Sequence, residues 1–328
     1  MNQPPDLSIT IVSWNTRELL RSCLESLKNG ASRVTTEVQV VDNSSSDGSA
    51  EMVRQNFAGV TVIENKENAG FARANNQSWR QSRGRYWLLL NSDAEVCPGA
   101  LDALAAFMDE HPQAGLATAR LLNPDGSPQH CAQRVRGFLL TAVETLRLHK
   151  LLSKRTRGRL MLGPYWSYDE PLRLGWTWGA ALIARREAVE RAGPLSDSFF
   201  MYGEDLEWCL RMRQQGWEIW FCPEAEVVHH QGASSDGKWS DDRRFRAKMD
   251  GIYRAISARR GFVYVWLLQA FTFPCLGFEW LLARALGRSA EWLEPQISYH
   301  WKVLKPGAAA RAPLDHGAAT PAPPAVMQ

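Results

Sequence analysis

The sequence predicts an α/β protein: a mostly parallel sheet flanked by helices, extended by a C-terminal helical appendage. Three observations carry that expectation. Short β-branched runs alternate with leucine-spaced segments through the first hundred residues, polar side chains collect where the runs end, and beyond Gly232 the alternation stops and the pattern turns helical.

Residues 7–14 (LSITIVSW) are short, rich in β-branched side chains, and bounded by proline before and Asn-Thr after, which reads as a buried strand. The TRELLRSCLESLKNG that follows spaces Leu19, Leu20, Cys23, Leu24 and Leu27 by threes and fours and stops at Gly30, as a helix does. EVQVVDN is then a strand, SSSDGS a loop, residues 50–56 a helix, GVTVIEN a strand, residues 72–82 a helix, and RYWLLLN a fourth strand. A later block, RLGWTWGAALIARREAV, holds a strand-like WTWGAALIA and a helix. FFMYGEDLEWCLRMRQQGW supplies another helix, and WEIWFCPEAEVVHHQG reads as two short strands around Pro223.

At 328 residues the chain is long enough for one large domain with an appendage, or for two domains, and its 45% hydrophobic and 22% charged residues are ordinary for a soluble globular protein. A net charge of +3 without a nucleic-acid motif argues against nucleic acid as a partner. The six cysteines show no C-x-x-C and no framework spacing, so buried reduced thiols in a cytoplasmic protein are expected. MNQPPDLSITIVSW has no basic segment leading into a long apolar run, so no signal peptide is expected. Neither G-x-G-x-x-G after the first strand nor a P-loop is present. Phosphates, if bound, need another handle, and a divalent cation held by carboxylate oxygen is the usual one.

In parallel sheets ligands bind at the carboxyl ends of strands, and here those ends deliver Asn15 and Thr16, Asp42 and Asn43, residues 65–68, and Asn91 with Asp93. Each has a plain explanation in turn chemistry; together they suggest a site. Asn91 and Asp93 fall on one side if their strand persists. Glu204 and Asp205 follow a glycine and open a helical pattern, where acids accept unpaired N–H groups and complement the helix dipole without any chemistry.

SITIVSWNT, VVDNSSSDGS, NAGFARANNQ, LLLNSDAEV, WTWGAALIARR and FFMYGEDLEWCLRMRQQGW, in this order and at these intervals, resemble family 2 inverting glycosyltransferases of the GT-A fold, with bacterial rhamnosyltransferase-type members the nearest in pattern. The resemblance spans residues 8–232. It implies a GT-A, Rossmann-like sheet, a nucleotide-sugar donor such as dTDP-rhamnose, and a saccharide or lipid-linked saccharide acceptor. It also implies a divalent metal, Mn²⁺ or Mg²⁺. By that likeness Asp205 is the general base with Glu204 beside it, and Asp42 meets the nucleobase. Asn68 and Arg73 lie against base and diphosphate, with Asn15 and Asn76 among the substrate-binding residues. Asn91, Ser92 and Asp93 stand where the family has its D-x-D metal motif.

The first D-x-D acid is Asn91 here, and an amide brings no charge, so Asp93 carries the metal with Glu95 assisting through water. His229 resembles the histidine that some members add as a ligand, with His230 its rival; a hydrogen-bonded loop histidine is the plainer reading. Trp176 and Trp178 offer flat faces beneath a sugar, and Gly179 lets backbone approach; both indoles also suit a core. A sugar-phosphate nucleotidyltransferase lacks support because no glycine-rich, arginine-containing loop follows the first strand. A non-catalytic nucleotide- or glycan-binding module is favoured by Asn91 and disfavoured by Asp93, Asp205 and Arg73 together.

The expected organisation is a transferase domain over residues 1–235, a basic then apolar helical region over 236–305, and a disordered Ala/Pro-rich tail over 306–328. Residues 243–260 carry seven Lys/Arg against Asp250. The uncharged FVYVWLLQAFTFPCLGF, broken by Pro274, suits a re-entrant or interfacial helix pair, and residues 146–160 read as a basic amphipathic helix. Peripheral attachment to an anionic membrane, at the inner face of the cell membrane, is the expectation; a packed hairpin and a solvated helix face are the alternatives.

Overall fold

A computed structural model describes residues 3–231 and 240–304. Its first half follows the alternation: β1 (Leu7–Ser13), α1 (Arg17–Gly30), β2 (Thr36–Asp42), α2 (Ser49–Asn56), β3 (Val60–Glu64), α3 (Phe71–Trp79) and β4 (Tyr86–Asn91). These strands lie in the order β3-β2-β1-β4, all parallel, with Leu7 opposite both Thr36 and Tyr86. β1 is buried on both faces. Its aliphatic side chains Leu7, Ile9 and Ile11 enter the core, and the hydroxyls between them find partners: Ser8 donates to Glu37, and Thr10 accepts from Trp87 Nε1.

The second half comprises β5 (Ala94–Val96), α4 (Ala100–Glu110), β6 (Ala114–Leu122), α5 (Phe138–Thr145), α6 (Lys154–Met161), β7 (Leu172–Arg173), β8 (Ala181–Arg185), α7 (Arg186–Ala192), α8 (Glu204–Gln214) and β9 (Glu218–His229). The sheet continues from β4 through β8, β6 and β9 to β5, with β7 also on β9; β8 runs antiparallel to both neighbours. Three expectations change. WTWGAALIA is a strand only from Ala181, because residues 176–180 leave the sheet to line the cleft described below. WEIWFCPEAEVVH is one long strand, since a bulge between Cys222 and Glu226 absorbs Pro223 without ending the pairing to β6. Residues 146–160 are not one helix: a 3-10 turn at Leu148–Leu151 and a break precede α6 at its Ser153 cap.

The chain ends in α9 (Asp241–Arg260), α10 (Phe262–Ala285) and α11 (Glu294–Leu304). α10 is a single helix through Pro274 rather than a pair; α5, α9 and α11 pack along it and hold it through the missing hydrogen bond. The helices share a second apolar cluster with the sheet-bearing part, in which Phe199 and Leu206 meet Tyr253, Ile256, Leu268 and Tyr299. α9 is therefore packed against the turn that enters α8. The boundary expected at residues 235–236 and the tail 306–328 lie outside the described residues.

Candidate active site

A cleft of about 530 Å³ lies against the carboxyl ends of β1, β2 and β4, within the range of small-molecule sites. Asp93, His229 and Asn91 line it, and so do Asp205, Glu204 and Trp178. Residues nearly 140 positions apart meet because β5 is laid antiparallel on β9, with Ala94 opposite His229. β4 does not persist as imagined: it ends at Asn91, and a turn at Ser92 and Asp93 precedes β5. Both side chains still reach the cleft.

His229 Nε2 stands 3.4 Å from Asp93 Oδ1 and 3.3 Å from Asn91 Nδ2. Strand alternation sends its neighbour His230 the other way, where its ring bonds Glu95 Oε1 at 2.8 Å. Glu95 is therefore held by His230, and neither residue lines the cleft.

Gln129 is the residue that sequence reasoning missed. Its amide nitrogen donates to Asn123 Oδ1 and to the His229 carbonyl, so its Oε1 must accept, and it does so from His229 Nδ1 at 2.8 Å. That places the imidazole proton on Nδ1 and turns the Nε2 lone pair towards Asp93. No local signal marks Gln129, which sits in an ordinary turn region a hundred residues from its partner.

Glu204 and Asp205 open α8 behind Gly203, which takes a left-handed φ of 96°. Asp205 Oδ1 accepts the Leu206 N–H at 2.7 Å, so the acid does make a helix-end bond. Burial raises the pKa of Asp205, opposed by the backbone N–H groups of Leu206 and Gly179 and by the Lys248 charge. Burial raises Glu204 too, the Asp205 charge adds to it, and Glu204 Oε2 has no hydrogen-bond partner among the described residues. The pair thus retains a proton more readily than ordinary carboxylates.

The residues expected around a nucleotide divide. Asn68 lines the cleft, its Oδ1 accepting the Gly70 N–H. Asp42 is buried at the end of β2, with Oδ2 accepting the Ser45 N–H and Oδ1 lacking a partner among the described residues, an orphaned acceptor suited to an N–H donor. Arg73 is exposed and lines a separate depression of about 370 Å³ with Lys66, Arg80 and Asp197. Asp42, Asn15 and Asn76 are not among the lining residues. Asn15, at φ 52°, accepts the Ser46 N–H and ties two turns together. Asn76 is buried, and its amide donates to Leu195 O and Asp197 Oδ1, which makes it a strut between α3 and the 195–197 loop.

Trp176 and Trp178 are half-buried on either side of fully buried Thr177; both line the cleft, and both pack against the core. Gly179 also lines it, and a Cβ there would lie 3.6 Å from Phe71 and 3.9 Å from Asp205 Cβ, which is ordinary contact. Its backbone N–H, not its missing side chain, is what reaches the acid.

Comparison with known proteins gives matches to the models "Glycosyl transferase family 2" over residues 8–150 and "Glycosyl transferase family group 2" over residues 87–293. The chain is 26% identical, over 70% of its length and 77% of the relative's, to an N-acetylglucosaminyl-diphospho-decaprenol L-rhamnosyltransferase of Mycobacterium tuberculosis. It is 26% identical, over 69% and 67%, to a low-salt glycan biosynthesis hexosyltransferase of Haloferax volcanii. Among solved structures, a mannosyltransferase of Pyrobaculum calidifontis in complex with GDP-Man and Mn²⁺ superposes with a TM-score of 0.54 at 18% identity, covering 94% of this chain and 83% of that one.

Proposed function

The chain belongs to glycosyl transferase family 2, and from that premise we propose that its cleft transfers a sugar from a nucleoside diphosphate to an acceptor hydroxyl with inversion, Asp205 taking the proton. It is a glycosyltransferase of glycan or polysaccharide biosynthesis with a GT-A fold. The finer reading takes dTDP-rhamnose as donor and a saccharide or lipid-linked saccharide as acceptor, supported by the rhamnosyltransferase relative. The observation that carries the mechanism is that Asp93 and His229 line the same cleft as Glu204 and Asp205.

Inversion requires one in-line displacement, so base and leaving group must flank a single sugar. Asp205, with its carboxylate in the cleft and its pKa raised by burial, is a better proton acceptor than an ordinary aspartate. Glu204, whose Oε2 has no hydrogen-bond partner among the described residues, is suited to hold a sugar hydroxyl. Asp42 offers its orphaned Oδ1 to a nucleobase N–H. Arg73 lines a separate depression and not the cleft, so it would meet only a part of the donor that extends beyond the cleft.

The residues fit a divalent cation. Asp93 Oδ1 and the lone pair of His229 Nε2 are two Lewis bases 3.4 Å apart, and no set of three or more His, Cys, Asp or Glu is grouped for metal binding among the described residues. Two protein ligands leave positions for diphosphate and water, which is how Mg²⁺ and Mn²⁺ are held in phosphate-transfer sites. A bound Mn²⁺ or Mg²⁺ would supply charge neutralisation to the departing diphosphate.

Membrane attachment belongs to the same reading. α10 exposes Phe262, Val263, Trp266 and Leu267, next to basic α9, and it is apolar and long enough to cross a membrane by length and composition. We read it as lying in the cytoplasmic surface of the cell membrane, where a lipid-linked acceptor is presented. The donor question is tested by incubating the protein with a panel of nucleotide sugars and Mn²⁺ and following nucleoside diphosphate release. Metal-dependent release from dTDP-rhamnose above the rest supports the reading; release from no donor sinks it.

A further inference from the structure

One wall of the cleft comes from the C-terminal helices. Arg244, Lys248 and Ile252 of α9 all line it, spaced by fours along one face of the helix. Beside that face α9 is pressed onto the turn that enters α8: a Cβ on Gly203 would stand 2.6 Å from the Gly251 carbonyl carbon, and one on Gly251 would strike the Tyr202 carbonyl oxygen. Backbone meets backbone there, with no side chain to give way, so the height of α9 over residues 202–205 is set.

Lys248 stands on this fixed helix, exposed to the cleft, with its Nζ 5.3 Å from the centroid of the Tyr202 ring. Tyr202 lines the cleft too, just ahead of Glu204 and Asp205. A positive charge is thereby carried to the turn that holds the proposed base. Burial raises the pKa of Asp205, and the Lys248 charge works against that rise together with the Leu206 and Gly179 N–H groups. The influence is mutual: burial and the Arg244 charge lower the pKa of Lys248, and the Asp205 charge raises it. A carboxylate must be ionised to take a proton.

We propose that Lys248 is a positioning residue for the transfer step: held on α9 over residues 202–205, its ammonium favours the ionised carboxylate of Asp205 and extends towards acid the pH range in which that residue takes the acceptor proton. The proposal rests on the transferase reading above and gives α9 a part in it besides surface attachment. Other charged groups line the same cleft, namely Glu204 on α8, Arg244 on α9, and Asp93 and His229 on the remaining walls. All of them stay in place when Lys248 alone is replaced, so a difference between variants isolates the lysine.

The test is the pH dependence of nucleoside diphosphate release by the full chain with Mn²⁺, from the nucleotide sugar it cleaves, in wild type, Lys248→Met and Lys248→Arg. Methionine keeps an unbranched stem against Tyr202 and removes the charge. The Asp205 pKa then rises further, so the acid limb of the rate should move to higher pH, by about half a unit for an exposed charge and by less in high salt. Lys248→Arg should restore the limb. A lysine that only packs would change the rate alike at every pH; coincident acid limbs, or a shift that arginine does not reverse, overturn the proposal. A second measurement needs no substrate. The loss of urea midpoint caused by Lys248→Met should grow as pH rises through the carboxylate range, where Asp205 ionises, and should stay constant in an Asp205→Asn background. Equal growth in both backgrounds gives the lysine another partner and overturns the proposal as well. Lys248→Gln takes the place of Lys248→Met if the latter does not fold. A wild type that releases nucleoside diphosphate from no donor overturns the transferase reading and this role with it, even where the urea cycle finds the two charges coupled.

Discussion

At the scale of single residues, side chains that line the cleft differ from side chains that hold others in place. If Asp205 only closed a helix end, Asp205→Asn would cost about 1 kcal/mol or less and leave turnover nearly intact. As base, its loss should lower kcat by roughly 10²-fold or more with the thermal midpoint unchanged, measured by donor turnover and calorimetry. Glu204 allows a prediction with a definite sign. Its folded pKa is raised, so its favourable contribution is complete below the ordinary glutamate range and is lost as pH rises, when the unfolded chain ionises and the folded one resists. Glu204→Gln cannot ionise, so its stability relative to wild type should climb between about pH 4 and neutrality in urea titrations; a flat difference would show that Glu204 is not desolvated. Gln129 acts through His229. Gln129→Leu should free the imidazole tautomer and weaken Mn²⁺ binding about 10- to 100-fold, read by electron paramagnetic resonance of free Mn²⁺ with nucleoside diphosphate present.

Among the elements, α10 combines features that core helices do not share. Phe262 and Val263 are more than 60% exposed, Trp266 and Leu267 close to half, and the opposite face carries buried Val265 and Leu268. A helix with one face in a protein core and an apolar face outside suits an interfacial position beside basic sequence. Vesicle co-sedimentation checks this: wild type should partition onto anionic vesicles, and Val263→Asp with Leu267→Asp should abolish most of that partition without lowering the thermal midpoint. Equal partition of wild type and variant would remove α10 from the contact.

For the molecule as a whole, the C-terminal helices and the sheet are joined at the turn that enters α8, through the apolar cluster around Phe199 and Leu206 and through the Gly203–Gly251 contact. Gly251→Ala places a methyl group against backbone, which cannot rotate away as a side chain can. It should cost about 1–3 kcal/mol, and it should lower turnover more than the stability loss alone explains because the carbonyl it strikes belongs to the residue before Gly203. Chemical denaturation together with steady-state rates at a temperature where both proteins are folded separates the two effects.

The sequence alone determined the local facts: which runs are strands, because β-branched residues alternate with helical spacing through residue 91, and which residues stand at strand ends, because those ends carry Asn and Asp. It also carried the family, through six ordered blocks. Tertiary structure decided what depends on pairing between distant segments. Laying β5 on β9 put His229 in the cleft and left His230 outside it, bonded to Glu95; a hydrogen bond across a hundred residues brought in Gln129; and α3 packing made Asn76 a strut outside the cleft lining. Short-range sterics and side-chain entropy are written into neighbouring residues, whereas the direction in which a polar group points is set by whichever remote segment desolvates it.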